Sequence, residues 1–213
     1  MHTEGRMRGH NHHTSGKWLN SPVREYAGRP LEVRSVLPDF ERRNFAVTHP
    51  DKLFPFINPH LDLIVRKPIE HVNGRLWVSD IHKDDYIPIG TVSKEYRLVP
   101  HKEVFDTALS ALSENHIDPS HTRAELLLTE YGERMHLSIY LPRVHDFDPG
   151  DGHPMAMRLE CFNSVEGSTR FKAFVGWFRF VCKNGLIIGV TTARFQHRHD
   201  STLDITDIGS VLK

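Results

Sequence analysis

The chain has 213 residues with 27 Lys+Arg, 27 Asp+Glu and 16 His, a formal net charge of zero, 38% hydrophobic residues and 25% charged ones. That length suits one compact domain, and the composition lies far from the low-hydrophobicity, high-net-charge corner of disordered chains. No apolar run approaches the ~20 residues of a spanning helix, and Cys161 and Cys182 make neither a disulfide scaffold nor a four-sulfur zinc site.

Residues 1–30 read as a flexible, polar, His-rich arm in which only Trp18, Leu19, Val23 and Tyr26 offer anchors. The arm holds no apolar stretch of the secretory kind, and its His10-Asn11-His12-His13 cluster could catch a metal, more often adventitiously than as a functional site. A reducing cytosol is the expected compartment, with no membrane association. Residues 31–213 read as a single domain. Leu53–Pro68 is punctuated by Pro55, Pro59 and Pro68, which suits loops and an edge strand. Asn73-Gly74 marks a turn before a strand at Arg75–Val78, and Ile87–Val99 is rich in β-favouring residues. A helix follows over 101–116, because Val104, Phe105, Ala108, Leu109, Ala111 and Leu112 recur at the 3.6-residue period.

The remainder reads as β. Ala124–Thr129 and Met135–Leu141 form a hairpin around Tyr131-Gly132-Glu133, and residues 146–154 form a loop. Four strands are predicted after it: Met155–Phe162, Arg170–Cys182, Leu186–Thr191 and Arg194–His199. From Leu203 the apolar residues Ile205, Ile208, Val211 and Leu212 sit at helical spacing, and the chain stops at Lys213 with that helix still propagating, so a truncated chain is expected at least as much as a genuine terminus. The fold class is α+β: an antiparallel sheet with the 101–116 helix packed on one face through Phe105, Leu109 and Leu112.

The zero net charge hides a pattern, since residues 100–154 carry 4 basic and 10 acidic groups and residues 155–199 carry 7 basic and 2 acidic ones. The basic stretch interleaves Arg170, Lys172 and Arg179 with Phe171, Phe174, Trp177, Phe178 and Phe180, and Lys183 and Arg194 follow. Cations alternating with rings on strands suit single-stranded nucleic acid, the rings stacking on bases and the cations meeting phosphates. The competing reading makes most of those rings core and leaves the cations as a basic face. On the preceding strand, period two places Arg158 and Glu160 on one face, and Asn163, Ser164 and Ser168 belong to a turn of small hydrogen-bonding groups. Arg158 is expected to be buried and bonded to Glu160 or to that turn. His197 and His199 are the candidate metal ligands, a His-x-His pair that Glu160 or Asp200 would complete. No P-loop, dinucleotide-binding glycine fingerprint or zinc-protease motif occurs, and no cofactor is indicated.

Three ordered blocks carry a resemblance: IGTVSKEYRLV at 89–99 with the helix after it, RLECFNS at 158–164 with Gly167-Ser168, and VGWFRFVCKNGL at 175–186. They resemble the domain-of-unknown-function 932 family of phage- and plasmid-borne proteins over about residues 85–212. The resemblance implies a mobile-element origin, a cytosolic location and an α+β domain, and no settled reaction. The leading expectation is an accessory protein that binds nucleic acid in mobile-element DNA metabolism and self-associates as a homo-oligomer. The alternatives are a small metal-assisted hydrolase or transferase using Arg158, Glu160, His197 and His199, and a protein-binding scaffold.

Overall fold

The computed structural model describes residues 6–8, 23–44, 60–66, 86–180 and 187–213. Its strands are β1 (Arg6–Arg8), β2 (Val23–Gly28), β3 (Phe40–Asn44), β4 (Leu61–Arg66), β5 (Ile87–Ser93), β6 (Arg123–Thr129), β7 (Arg134–Tyr140), β8 (Ala156–Ser164), β9 (Phe171–Phe180) and β10 (Ile187–His197). Helices α1 (Pro30–Ser35) and α2 (His101–Glu114) and a 3-10 helix at Ile205–Leu212 complete the main elements. Seven strands form one sheet in the order β1-β2-β6-β7-β8-β9-β10, and β3-β4-β5 form a second. Every pairing is antiparallel, so the fold is α+β as the periodicities imply.

Period two decides what the large sheet buries. Leu126 and Leu128 on β6, Leu137 and Ile139 on β7, Leu159 and Cys161 on β8, and Phe171 and Ala173 on β9 all point to one face and are almost fully buried. On that face lies α2, whose Val104, Phe105, Ala108 and Leu112 are wholly inaccessible, with Leu109 packed at the margin. The helix stops where His116 turns left-handed at φ 61 and the Ile117 amide donates back to the Leu112 carbonyl at 2.9 Å. The C-terminal 3-10 helix adds Ile205, Ile208 and Val211 to the same core.

Four expectations need correction. Leu61–Arg66 is not an edge strand: it is β4, the middle strand of the small sheet, paired with β3 on one side and β5 on the other. Val23–Gly28 does not belong to an arm: it is strand β2, paired along its length with β6, with Val23 buried and Tyr26 packed on the core. The two predicted strands at 186–191 and 194–199 are one strand, β10, because the step at Thr191–Ala193 is a bulge. There Thr192 leaves the ladder and its hydroxyl donates to the Val175 carbonyl at 3.1 Å. The apolar 205–212 run forms a 3-10 helix capped by Asp204 rather than an α-helix. The His10–His13 cluster, Trp18, Leu19, the Asn73-Gly74 turn with Arg75–Val78, Cys182 and Lys183 lie outside the described residues.

A second apolar cluster joins Phe40, Ile64 and Val92 of the small sheet to Tyr96 and to Val165, which directly follows β8 of the large sheet. The small sheet meets the large sheet at the end where β7 begins and β8 finishes: Tyr96 Oη donates to the Ser164 carbonyl at 2.9 Å, and Arg66 Nη1 to the Tyr131 carbonyl at 2.7 Å. Among the described residues no helix is long and apolar enough to cross a membrane.

Candidate functional site

The residues alternating with the core set occupy the sheet face opposite α2, and there the polar chemistry collects. Arg158 and Glu160 are 3% and 4% exposed, with Arg158 Nε 3.3 Å from Glu160 Oε1. The guanidinium lies between two rings, 5.0 Å from the Tyr140 centroid and 4.8 Å from that of Phe178. It also donates from Nη1 to the Tyr140 hydroxyl at 3.1 Å, and that hydroxyl donates to Glu125 Oε2 at 2.8 Å. Glu160 Oε2 accepts from Ser138 Oγ and from His136 Nε2, each at 2.6 Å. Burial pushes the Glu160 carboxyl up, but His136, Arg158 and Ser138 together outweigh burial and hold it below the usual carboxylate value.

This grouping of Ser, His and carboxylate is not a nucleophilic relay. A relay needs the carboxylate on one ring nitrogen and the hydroxyl on the other. Here His136 Nε2 faces both Glu160 and Ser138, the latter at 3.4 Å, while Nδ1 is buried with no hydrogen-bond partner among the described residues. Ser138 donates to the carboxylate rather than to the imidazole. Nor does Cys161 offer a nucleophile, since it faces the core and burial pushes its thiol up.

Beside the network runs a row of rings. His136 stacks on Phe162 with centroids 4.1 Å apart and planes 12° apart. Phe162 and Phe174 follow at 5.7 Å and 20°, then Phe174 and Phe178 at 6.0 Å and 57°. All four rings are half-buried. The β8–β9 and β9–β10 registers set cations among them: Lys172 is the cross-strand partner of Phe162, and the exposed Arg194 that of Phe174.

The structure divides the other predicted residues. Arg179 has the opposite parity on β9 and is engaged by Asp151 at 2.6 Å and by the His153 carbonyl at 2.9 Å, so it braces the 146–154 loop. Arg170 is exposed just ahead of β9. Asn163 lies on the α2 side, where its amide donates to the Val99 carbonyl at 2.8 Å and to His101 Nδ1 at 2.9 Å. His101 Nε2 in turn donates to the Gly132 carbonyl at 2.7 Å, and burial pushes the imidazole down to about 4. Ser164 closes the 164–169 turn by accepting from the Thr169 amide at 3.1 Å, and Ser168 caps Glu166. The polar cluster is thus one network and two braces.

His197 and His199 do not converge. Strand β10 ends at His197, so the period-two argument fails before residue 199. His199 is 7% exposed, stacks on Tyr96 and uses Nδ1 on the Arg97 carbonyl at 3.3 Å. His197 lies 3.8 Å from Asp200 and near Thr202. Among the described residues no group of three or more His, Cys, Asp or Glu side chains is placed to hold a metal ion. The residues that the sequence reasoning missed are Glu125, His136, Ser138 and Tyr140. Their signal was present, because positions 134, 136, 138 and 140 are polar or amphipathic between the apolar residues of that hairpin strand.

Residues 88–210 match the family described as Domain of unknown function (DUF932). No curated protein and no solved structure matches the chain.

Proposed function

The chain belongs to the DUF932 family, a membership that names no activity, and we propose from its own residues that it binds single-stranded nucleic acid on the sheet face opposite α2. The observation that carries this reading is the register: Lys172 stands directly across from Phe162, and Arg194 directly across from Phe174, on a face already rich in rings. Cations then meet phosphates where rings stack on bases, which is the pairing of groups that a single strand offers. An accessory role in the DNA metabolism of mobile elements is the setting we propose for it.

Binding of this kind releases counterions, so affinity falls with salt at a log–log slope of about −0.7 per neutralised phosphate on a single strand. Fluorescence anisotropy of a labelled oligonucleotide across a salt series measures that slope. Replacing Lys172 and Arg194 together by Ala should lessen it by about 1.4. Arg179→Ala should leave the slope unchanged, since that guanidinium serves Asp151. No measurable binding at low salt, or an unaltered slope in the double variant, defeats the proposal.

A further inference from the structure

Taking that single-strand reading as its basis, we infer that one unpaired base inserts between the rings of Phe162 and Phe174. The three contacts in the ring row differ in what they can admit. His136 and Phe162 are closed on one another at 4.1 Å and nearly parallel, which leaves no space between them. Phe174 and Phe178 are tilted by 57°, so no planar slot lies between them. Phe162 and Phe174 alone combine near-parallel planes, 20° apart, with a wide centroid separation of 5.7 Å. Stacked bases are layered at about 3.4 Å, so a base between two rings needs about 7 Å. Admitting a base therefore requires the two half-buried rings to part, a side-chain adjustment.

The surroundings fit the same event. Phe162 is backed by His136, and His136 is pinned through Nε2 by the buried Glu160 carboxylate, so one wall of the slot is fixed. Phe174 is the wall that moves. Lys172 lies across from the fixed wall and Arg194 across from the moving one, which gives the phosphates on either side of an inserted base a cation each. Glu160, the cross-strand partner of Phe174 on β8, does not repel them in full, because Arg158 and His136 hold its charge. The ligand is an unpaired nucleobase with its flanking phosphates, and either DNA or RNA can supply it.

The test uses the full chain and matched DNA and RNA oligonucleotides carrying one 2-aminopurine, whose fluorescence falls when it is stacked. Wild type should quench it, and a duplex of the same sequence should bind less well. Phe162→Leu and Phe174→Leu should abolish the quench and weaken binding roughly 5- to 100-fold. Their salt slope should not change, because both cations remain. Phe174→Tyr, which restores a ring, should recover the quench and guards against a folding defect in the Leu variants. Salt-dependent binding without quenching, or quenching that survives both Leu substitutions, overturns insertion and leaves the electrostatic reading standing. Absence of binding to either oligonucleotide overturns both.

Discussion

Arg158 shows how one buried side chain can be tested as brace or as ligand holder. Its guanidinium is sandwiched by Tyr140 and Phe178 and faces Glu160, whose remaining oxygen is held by His136 and Ser138. Removing one member of a buried ion pair leaves the other charge without compensation, which costs about 3–5 kcal/mol. Arg158→Ala should therefore lose about 3 kcal/mol in urea denaturation, the low end of that range, because His136 and Ser138 still serve Glu160. A loss under about 1 kcal/mol would make the pair no stronger than an exposed one. The histidines on the other face set a pH dependence. Burial pushes both His101 and His199 down to about 4, so they stay neutral in the folded chain and charge on unfolding. The unfolded state then binds more protons between its ordinary histidine value and 4. Stability should hold above about pH 6.5 and fall below it, by about 1.4 kcal/mol per histidine per pH unit at most. Urea midpoints at pH 7, 6 and 5 measure this, and His101→Gln should flatten the curve by about half. A flat profile down to pH 5 would contradict the neutral, buried geometry.

The elements divide into those whose signal is local and those whose signal is not. Helix α2 and the β6–β7 hairpin were legible because their periods of 3.6 and 2 run unbroken and the facing core is apolar throughout. The burial of Arg158 was legible for a related reason, the aromatic bulk around its strand. Strand β10 was misdivided because a bulge imitates a turn when only residue types are visible. The close approach at Gly176, where an added Cβ would lie 2.2 Å from the Val190 carbonyl oxygen, belongs to three-dimensional pairing alone. Strand β2 was concealed by composition, since its register against β6 depends on partners a hundred residues away. The site was half legible. Alternation put Arg158 beside Glu160, but the turn-like residue types hid that β8 runs on through Ser164, so that the same period carries Asn163 to the opposite face to meet His101, and no local rule turns His199 away from His197 onto Tyr96.

At the scale of the molecule, the two sheets carry unequal cores. Among the described residues the large sheet, α2 and the 3-10 helix share a cluster that runs from Val33 to Val211, whereas Phe40, Ile64 and Val92 of the small sheet cluster only with Tyr96 and with Val165 just after β8. Among the described residues, single bonds such as Tyr96 to Ser164 and Arg66 to Tyr131 join them, together with Val165 in the smaller cluster. Units with few buried apolar contacts open at lower free energy than the core to which they are attached. Native-state hydrogen exchange should therefore show β4 and β5 amides opening at lower cost than those of β7 and β8. Ile64 is fully buried, so Ile64→Ala should lower protection in β3–β5 by about 2–5 kcal/mol and leave β7–β8 unchanged. Equal loss of protection across both sheets would show instead that they unfold as one unit. The partition also bears on binding, because Lys172, Arg194 and the ring row stand wholly on β7–β10. If the large sheet is the rigid platform, Ile64→Ala should loosen the small sheet while oligonucleotide affinity stays within twofold of wild type. A parallel loss of affinity would place the small sheet in the interface and move the proposed surface toward the end where β7 begins and β8 finishes.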